Sequence, residues 1–374
     1  MIYLDNAATG GFKIGSVIDA VNTAIRYVCA NPGRSGHRLS ITGAKAVYEC
    51  RNVLGKLFSC EPERVIFTKN CTEALNTAIF GSLKVGGKVI CTTFEHNSVL
   101  RPLYHLAKEK KIKLEIVAPT TTYSLYESIE RAITKDTYMV VVTATSNVTG
   151  QAFDLERIGT LCAKKNILFL VDGAQAGGHI PIDMKAQRIS MLCLATHKGL
   201  YGIMGSGALL LNDDVELSPL TFGGTGSESF NLDQPLNYPE RLEAGTINLP
   251  AIMGLKAGAE YVYNNLNNIS NHLYNATSQM IEQLSSIDKV KLYSTPNKSG
   301  IVSFNIGSLP SQSVADLLDS EYDVAVRGGF HCAPLTHKFL GTSEEGLVRA
   351  SLAVQNTSHE ISQFIKAIKS ISKG

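Results

Sequence analysis

Val17, Ile18, Val21, Ala24, Ile25 and Val28 recur at the spacing of an amphipathic helix, which Asn31-Pro32-Gly33 should end. Ala46, Val47, Cys50, Val53, Leu54, Leu57 and Phe58 mark a second. Short apolar runs then alternate with helical stretches: Val65–Phe67, Val89–Cys91, Leu114–Val117, Met139–Thr143, Ile167–Val171, Met191–Ala195 and Ala208–Leu211. That alternation predicts an α/β fold with a mainly parallel seven-stranded sheet flanked by helices. Past Pro250 the pattern changes. Ile252–Leu266 and Ile269–Ile287 read as two long helices, and Val290–Tyr293, Ile301–Ile306 and Val324–Val326 as strands of a smaller α+β unit. A last helix opens with the capping-box pattern Thr357-Ser358-His359-Glu360. We expect a large domain over 13–255 and a small one over 256–374, with residues 1–12 packing on the small one.

Composition narrows the function. The chain has 374 residues, 44% of them hydrophobic and 18% charged, enough for a sizeable core. Lys+Arg of 35 against Asp+Glu of 33 gives a net charge of +2, which offers no stripe for nucleic acid and no polybasic membrane patch. No apolar stretch approaches a membrane span, and Met1–Asn6 has no signal-peptide pattern, so a cytoplasmic protein is expected. Eight cysteines without a Cys-x-x-Cys pair read as reduced thiols; Cys29, Cys50, Cys60, Cys162 and Cys193 are expected to be inert core residues. Gly-x-Gly-x-x-Gly and the Walker loop are both missing, which disfavours dinucleotide and nucleoside triphosphate chemistry.

The candidate chemistry sits at strand ends. Lys198 follows the run Ile189–Ala195, and Asp172 follows Ile167–Val171. A lysine and an acid placed in this way suit pyridoxal 5'-phosphate: the amine binds its aldehyde and the acid keeps its ring nitrogen protonated. Either residue alone is better read as a solvated lysine or a structural aspartate. Val65–Phe67 leads through Thr68-Lys69-Asn70 to Cys71-Thr72, a strand, tight loop and helix start that offers amides and a hydroxyl to a phosphate. Equally, Asn70 or Thr72 only caps that helix. His96 and Asn147 end two further strands: the histidine suits stacking on a cofactor ring and proton exchange with substrate, the asparagine a hydrogen bond to the ring's phenolic oxygen, although a lone histidine at a strand end is more often structural. Cys332 lies in a glycine-rich loop beside His331 and near Arg327, a cationic setting that favours thiolate; the plain alternative is one more buried thiol.

These motifs resemble the fold-type I, class V pyridoxal-phosphate enzymes, and within them the type II cysteine desulfurase and selenocysteine lyase group. The resemblance runs from Tyr3-Leu4-Asp5-Asn6-Ala7-Ala8 to Arg349-Ala350-Ser351-Leu352 and is carried most specifically by Asp172-Gly173-Ala174-Gln175, His197-Lys198 and Arg327-Gly328-Gly329-Phe330-His331-Cys332-Ala333. It implies that Lys198 binds the cofactor covalently and that Asp172 partners the ring nitrogen. It further implies that Gln175 bonds the phenolic oxygen, that His96 stacks on the ring, and that Cys71, Thr72 and His197 hold the phosphate. Thr246, in Arg241-Leu242-Glu243-Ala244-Gly245-Thr246, would reach the phosphate of a partner subunit, hence a homodimer with shared active sites. Arg349 would clamp the substrate carboxylate with Asn147 and Arg327 nearby, and Cys332 would take sulfur from L-cysteine as a persulfide for an acceptor protein; with selenocysteine as the substrate instead, Cys332 would tune selectivity without being essential. Two stretches depart from the family. Ala195 stands where a phosphate-binding serine is usual, leaving Thr196 to compensate, and Leu335-Thr336-His337-Lys338 differs from well-characterised desulfurases. Alternatives are a selenocysteine lyase, another C–S lyase, a class V aminotransferase, or an inactive scaffold for sulfur-transfer proteins.

Overall fold

The computed structural model describes residues 1–28, 30–33 and 35–373. Its strands are β1 (Ile2–Tyr3), β2 (Val65–Thr68), β3 (Lys88–Thr92), β4 (Lys113–Val117), β5 (Thr137–Thr143), β6 (Leu168–Asp172), β7 (Met191–Leu194), β8 (Gly207–Leu211), β9 (Val290–Leu292), β10 (Ile301–Ile306), β11 (Val324–Ala325) and β12 (Val348–Ser351). Strands β2 to β8 form one sheet in the order β2-β8-β7-β6-β5-β3-β4. Only β8 is reversed, pairing antiparallel with both β2 and β7; the other pairs are parallel. Its central strands are buried throughout, as expected of a sheet covered by helices on both faces.

The smaller unit is an antiparallel sheet ordered β12-β10-β9. The chain start joins this side of the molecule. β1 pairs parallel with β11, Asp5 bridges Ser351, and the Ser351 amide donates to the Leu4 carbonyl at 2.6 Å.

Three helix boundaries differ from expectation. The first helix is Gly15–Tyr27, so it stops before Asn31-Pro32. The second starts much earlier, at Arg38, because the His37 ring accepts the Ser40 amide and supplies a cap. The two long helices past Pro250 are one, Leu249–Ser285. Asn267-Asn268 contains neither proline nor glycine, and the apolar stripe keeps phase across it through Val262, Ile269, Leu273 and Met280. This helix runs through position 255 and so joins the two expected domains.

Candidate active site

Five strands that run in one direction, β2, β3, β5, β6 and β7, deliver residues from their carboxyl ends to one cavity of about 110 Å³. Asn70, Cys71 and Thr72 follow β2, His96 and Ser98 follow β3, and Thr143 and Asn147 come from the end of β5 and beyond. Asp172, Ala174 and Gln175 come from β6, and Ala195, His197 and Lys198 from β7. Eight of the expected site residues therefore line one space.

At one end the helix Cys71–Gly81 begins. Asn70 caps it, its side-chain oxygen accepting the Glu73 amide at 2.8 Å. The amides of Cys71 and Thr72 have no protein acceptor among the described residues, so the cap and an anion-binding helix start coexist. The Cys71 thiol donates to the Asp172 carboxylate at 3.7 Å, and the Ala174 amide donates to the same oxygen at 2.9 Å. Gln175 is buried, with its amide nitrogen on the Ala7 carbonyl at 3.0 Å.

The side-chain amine of Lys198 makes no hydrogen bond or ion pair among the described residues, while its backbone is held by Ala195 and Tyr201. Burial first, and then the Arg349 charge, lower its pKa toward a neutral amine. The His96 Nδ1 accepts the Ser98 amide at 3.1 Å, which leaves the ring proton on Nε2. Burial lowers the pKa of this ring, so it is uncharged near neutral pH. His197 is likewise neutral, pushed down to about 4 by burial and by Lys198 and Lys13. Its Nδ1 lies 3.0 Å from the Thr9 hydroxyl, and its carbonyl accepts Lys13 Nζ at 3.1 Å.

Arg349, Arg327 and Cys332 are brought to the site from the small unit. Arg349 is fully buried, with Nη1 on the Asn147 carbonyl at 3.0 Å and Nη2 on Asp5 at 3.1 Å. It and Arg327 act electrostatically on both Lys198 and His96. Cys332 is exposed, and its carbonyl accepts the amide of Asn97, the residue after His96, at 2.7 Å.

Two residues stand apart from the cavity. Thr196 is fully buried with its hydroxyl 2.7 Å from the Ser206 carbonyl and 2.6 Å from the Ser206 hydroxyl. Its oxygen is thus committed to Ser206 and does not replace the serine missing at Ala195. Thr246 is exposed and borders a separate hollow of about 210 Å³ with Thr221 and Leu242. The cationic setting expected of Cys332 is also revised. His331 donates Nε2 to the Leu347 carbonyl at 3.0 Å, and burial and the two arginines drive its pKa well down, so the positive charge nearby is arginine alone. Cys50, Cys60, Cys162 and Cys193 are buried as expected, and burial pushes Cys60 and Cys162 up to about 12; Cys29 lies outside the described residues.

Asp5, Thr9, Lys13 and Ser98 were not expected at the site. They act on its members through hydrogen bonds from the chain start or from a helix's first turn. Only Ser98, two residues after His96, left a local signal, a polar residue at a helix start.

The aminotransferase class-V family profile matches residues 2–364. A probable cysteine desulfurase of Pyrococcus abyssi is 33% identical, with 100% of this chain and 94% of that protein covered. A cysteine desulfurase of Shigella sonnei is 30% identical at the same coverage. The apo structure of cysteine desulfurase from Thermococcus onnurineus superposes with a TM-score of 0.93 at 31% identity, covering 100% of this chain and 95% of that one. The cavity at the strand ends and these end-to-end likenesses agree, and the chain belongs to the class-V aminotransferase family.

Proposed function

We propose that the chain is a pyridoxal 5'-phosphate-dependent cysteine desulfurase, converting L-cysteine to L-alanine and leaving the sulfur on Cys332 as a persulfide. The observation that carries the reading is the pairing of two nucleophiles. A Lys198 amine without a partner among the described residues lines the cavity, and the exposed Cys332 has its backbone carbonyl held by the amide of Asn97, the residue after the cavity-lining His96.

The residues fit the cofactor. The unpartnered amine suits its aldehyde, the Cys71 and Thr72 amides and the Thr72 hydroxyl suit its phosphate, and Asp172 suits a protonated ring nitrogen. His197 would join the phosphate set, Gln175 would meet the phenolic oxygen, and His96 would face the ring. When bound, the cofactor supplies an electron sink that acidifies the substrate α-carbon and weakens its link to sulfur.

Lys198, shifted toward its neutral form, is suited to take the α-proton and return one. Arg349 offers a guanidinium to the substrate carboxylate, oriented by Asp5 and the Asn147 carbonyl. The Cys332 thiolate then attacks the substrate sulfur. A sulfur–sulfur bond forms as the carbon–sulfur bond breaks, and its electron pair stays on carbon, where a proton completes the alanine methyl. An acceptor protein can reach the persulfide because Cys332 is exposed.

A homodimer fits this scheme. Thr246 lies away from its own chain's cavity, on a segment exposing Phe222, Phe230, Leu232 and Leu236. A second copy covering that segment brings Thr246 toward the partner's phosphate. Among the described residues no helix is long and apolar enough to cross a membrane, which is compatible with a cytoplasmic enzyme.

Mass spectrometry after addition of L-cysteine tests the reading. Cys332 should gain one sulfur while alanine accumulates, and Cys332→Ala should keep cofactor absorption but form no persulfide. Persulfide-free turnover that survives Cys332→Ala would point instead to a selenocysteine or C–S lyase, and pyruvate in place of alanine to an aminotransferase.

A further inference from the structure

Cys332 sits in an unusual stretch of backbone. His331 has φ +48° and Cys332 has φ +57°, so two consecutive non-glycine residues occupy the left-handed region. Such a turn persists only where its surroundings hold it. Here both strained residues have their carbonyl oxygens captured. Asn147 donates its side-chain amide to the His331 carbonyl at 2.7 Å, and the Asn97 backbone amide donates to the Cys332 carbonyl at 2.7 Å.

The two captors follow two neighbouring strands of the large sheet, β3 and β5. Asn147 follows β5, and its own carbonyl accepts Arg349 Nη1 at 3.0 Å. Asn97 is the first residue of the helix Asn97–Lys108, immediately after His96. The His331 ring adds a third tie, through Nε2 to the Leu347 carbonyl at 3.0 Å. On the upstream side Gly329 and Leu347 exchange both backbone hydrogen bonds, at 3.1 and 3.0 Å. Cys332 is therefore an exposed residue of a loop whose backbone is pinned before and after it.

We propose that Asn147 and the Asn97 amide are positioning groups for sulfur transfer: they lock the left-handed His331–Cys332 turn, and Asn147 ties its geometry to the carboxylate-binding Arg349. The inference rests on the reading of Cys332 as sulfur acceptor. Without either clamp the turn relaxes toward ordinary backbone angles and the thiol leaves the line of attack. Losing attack geometry of this kind costs roughly tenfold to a hundredfold in rate.

Two variants test it separately. Asn97→Pro removes the amide N–H together with a side chain that makes no hydrogen bond among the described residues; proline is tolerated at the first helical position, and His96, at φ −72° and ψ 157°, already has the conformation required before proline. Asn147→Ala deletes the other clamp. Asn97→Pro should keep the absorption band of the lysine-bound cofactor and the KM for cysteine within about twofold; Asn147→Ala, whose residue lines the cavity, is read by exchange and by single-turnover transfer. The single-turnover rate of persulfide formation should fall by about tenfold or more. Amide hydrogen exchange over 329–333, which needs no substrate and no activity, should quicken in each variant. Unchanged exchange and unchanged transfer rates in Asn97→Pro, or in Asn147→Ala if the proline variant does not fold, would overturn the proposal. Absence of persulfide in the unaltered protein, with exchange still quickened in the variants, would instead count against Cys332 as acceptor.

Discussion

Glu95 has no exposed surface, and it precedes His96 at the end of β3. One carboxyl oxygen accepts the Thr92 hydroxyl at 2.6 Å and the Thr143 amide at 3.1 Å, and the other has no partner among the described residues. Burial, with Asp172 adding to it, pushes this acid up to about 8 from 4.5. It is thus mostly neutral near pH 7, and its hydrogen bonds to Thr92 and Thr143 staple β3 to β5. The sign of its linkage follows. The folded state keeps a proton that the unfolded chain releases above about pH 4.5, so this group's contribution to stability falls as pH rises toward 8 and then levels. Glu95→Gln mimics the neutral acid. It should fold normally, retain the cofactor band, and lose less stability than the unaltered protein between about pH 5 and 8.5 in urea titrations. Equal pH slopes for the two proteins would show that Glu95 is not the buried neutral acid. Lys198, Asp172 and His96 were legible in the sequence because each ends an apolar run. Glu95 was not, because nothing in Phe94-Glu95-His96 says which of the two polar residues turns inward. Thr196 misled for a related reason: adjacency to His197 says nothing about where a hydroxyl points, and here Ser206 takes it.

At the scale of elements, the strands came close to their expected limits because each is a short apolar run between polar turns. The helix Leu249–Ser285 did not, since a pair of asparagines weakens a helix without ending it. This helix also supports the site. At Gly258 an added Cβ would lie 2.1 Å from the Leu200 carbonyl oxygen, in the turn that follows Lys198. Two effects oppose each other in Gly258→Ala. Helix propensity favours alanine by about 1 kcal/mol, whereas forcing a methyl group against a fixed carbonyl costs roughly 1–3 kcal/mol and displaces the backbone. The contact is with backbone and not with a flexible side chain, so the clash should win. Gly258→Ala should lower the urea midpoint and weaken cofactor retention, both read from one titration with absorbance detection. A raised midpoint would mean that the helix and the Lys198 turn are not packed as described.

For the whole molecule, alternation of short strands and helices made a mainly parallel sheet legible, and with it the rule that ligands collect at the carboxyl ends of the strands. The strand order was not legible. β2 reaches its place at the edge through the reversed β8, far away in sequence, and no local pattern encodes that pairing. Nor was the role of the chain start, whose Asp5, Thr9 and Lys13 reach across to Arg349 and His197. The assembled site thus draws on the first residues, the large sheet and the small unit together, while Thr246 is exposed and apart from the cavity. All of this chemistry depends on the amine at position 198 holding pyridoxal 5'-phosphate. Borohydride reduction of the cofactor-loaded protein, followed by peptide mass spectrometry, measures that directly. The account predicts a single stable pyridoxyl phosphate adduct on Lys198, absent from Lys198→Ala. An unmodified Lys198, or an adduct spread over surface lysines, would contradict it.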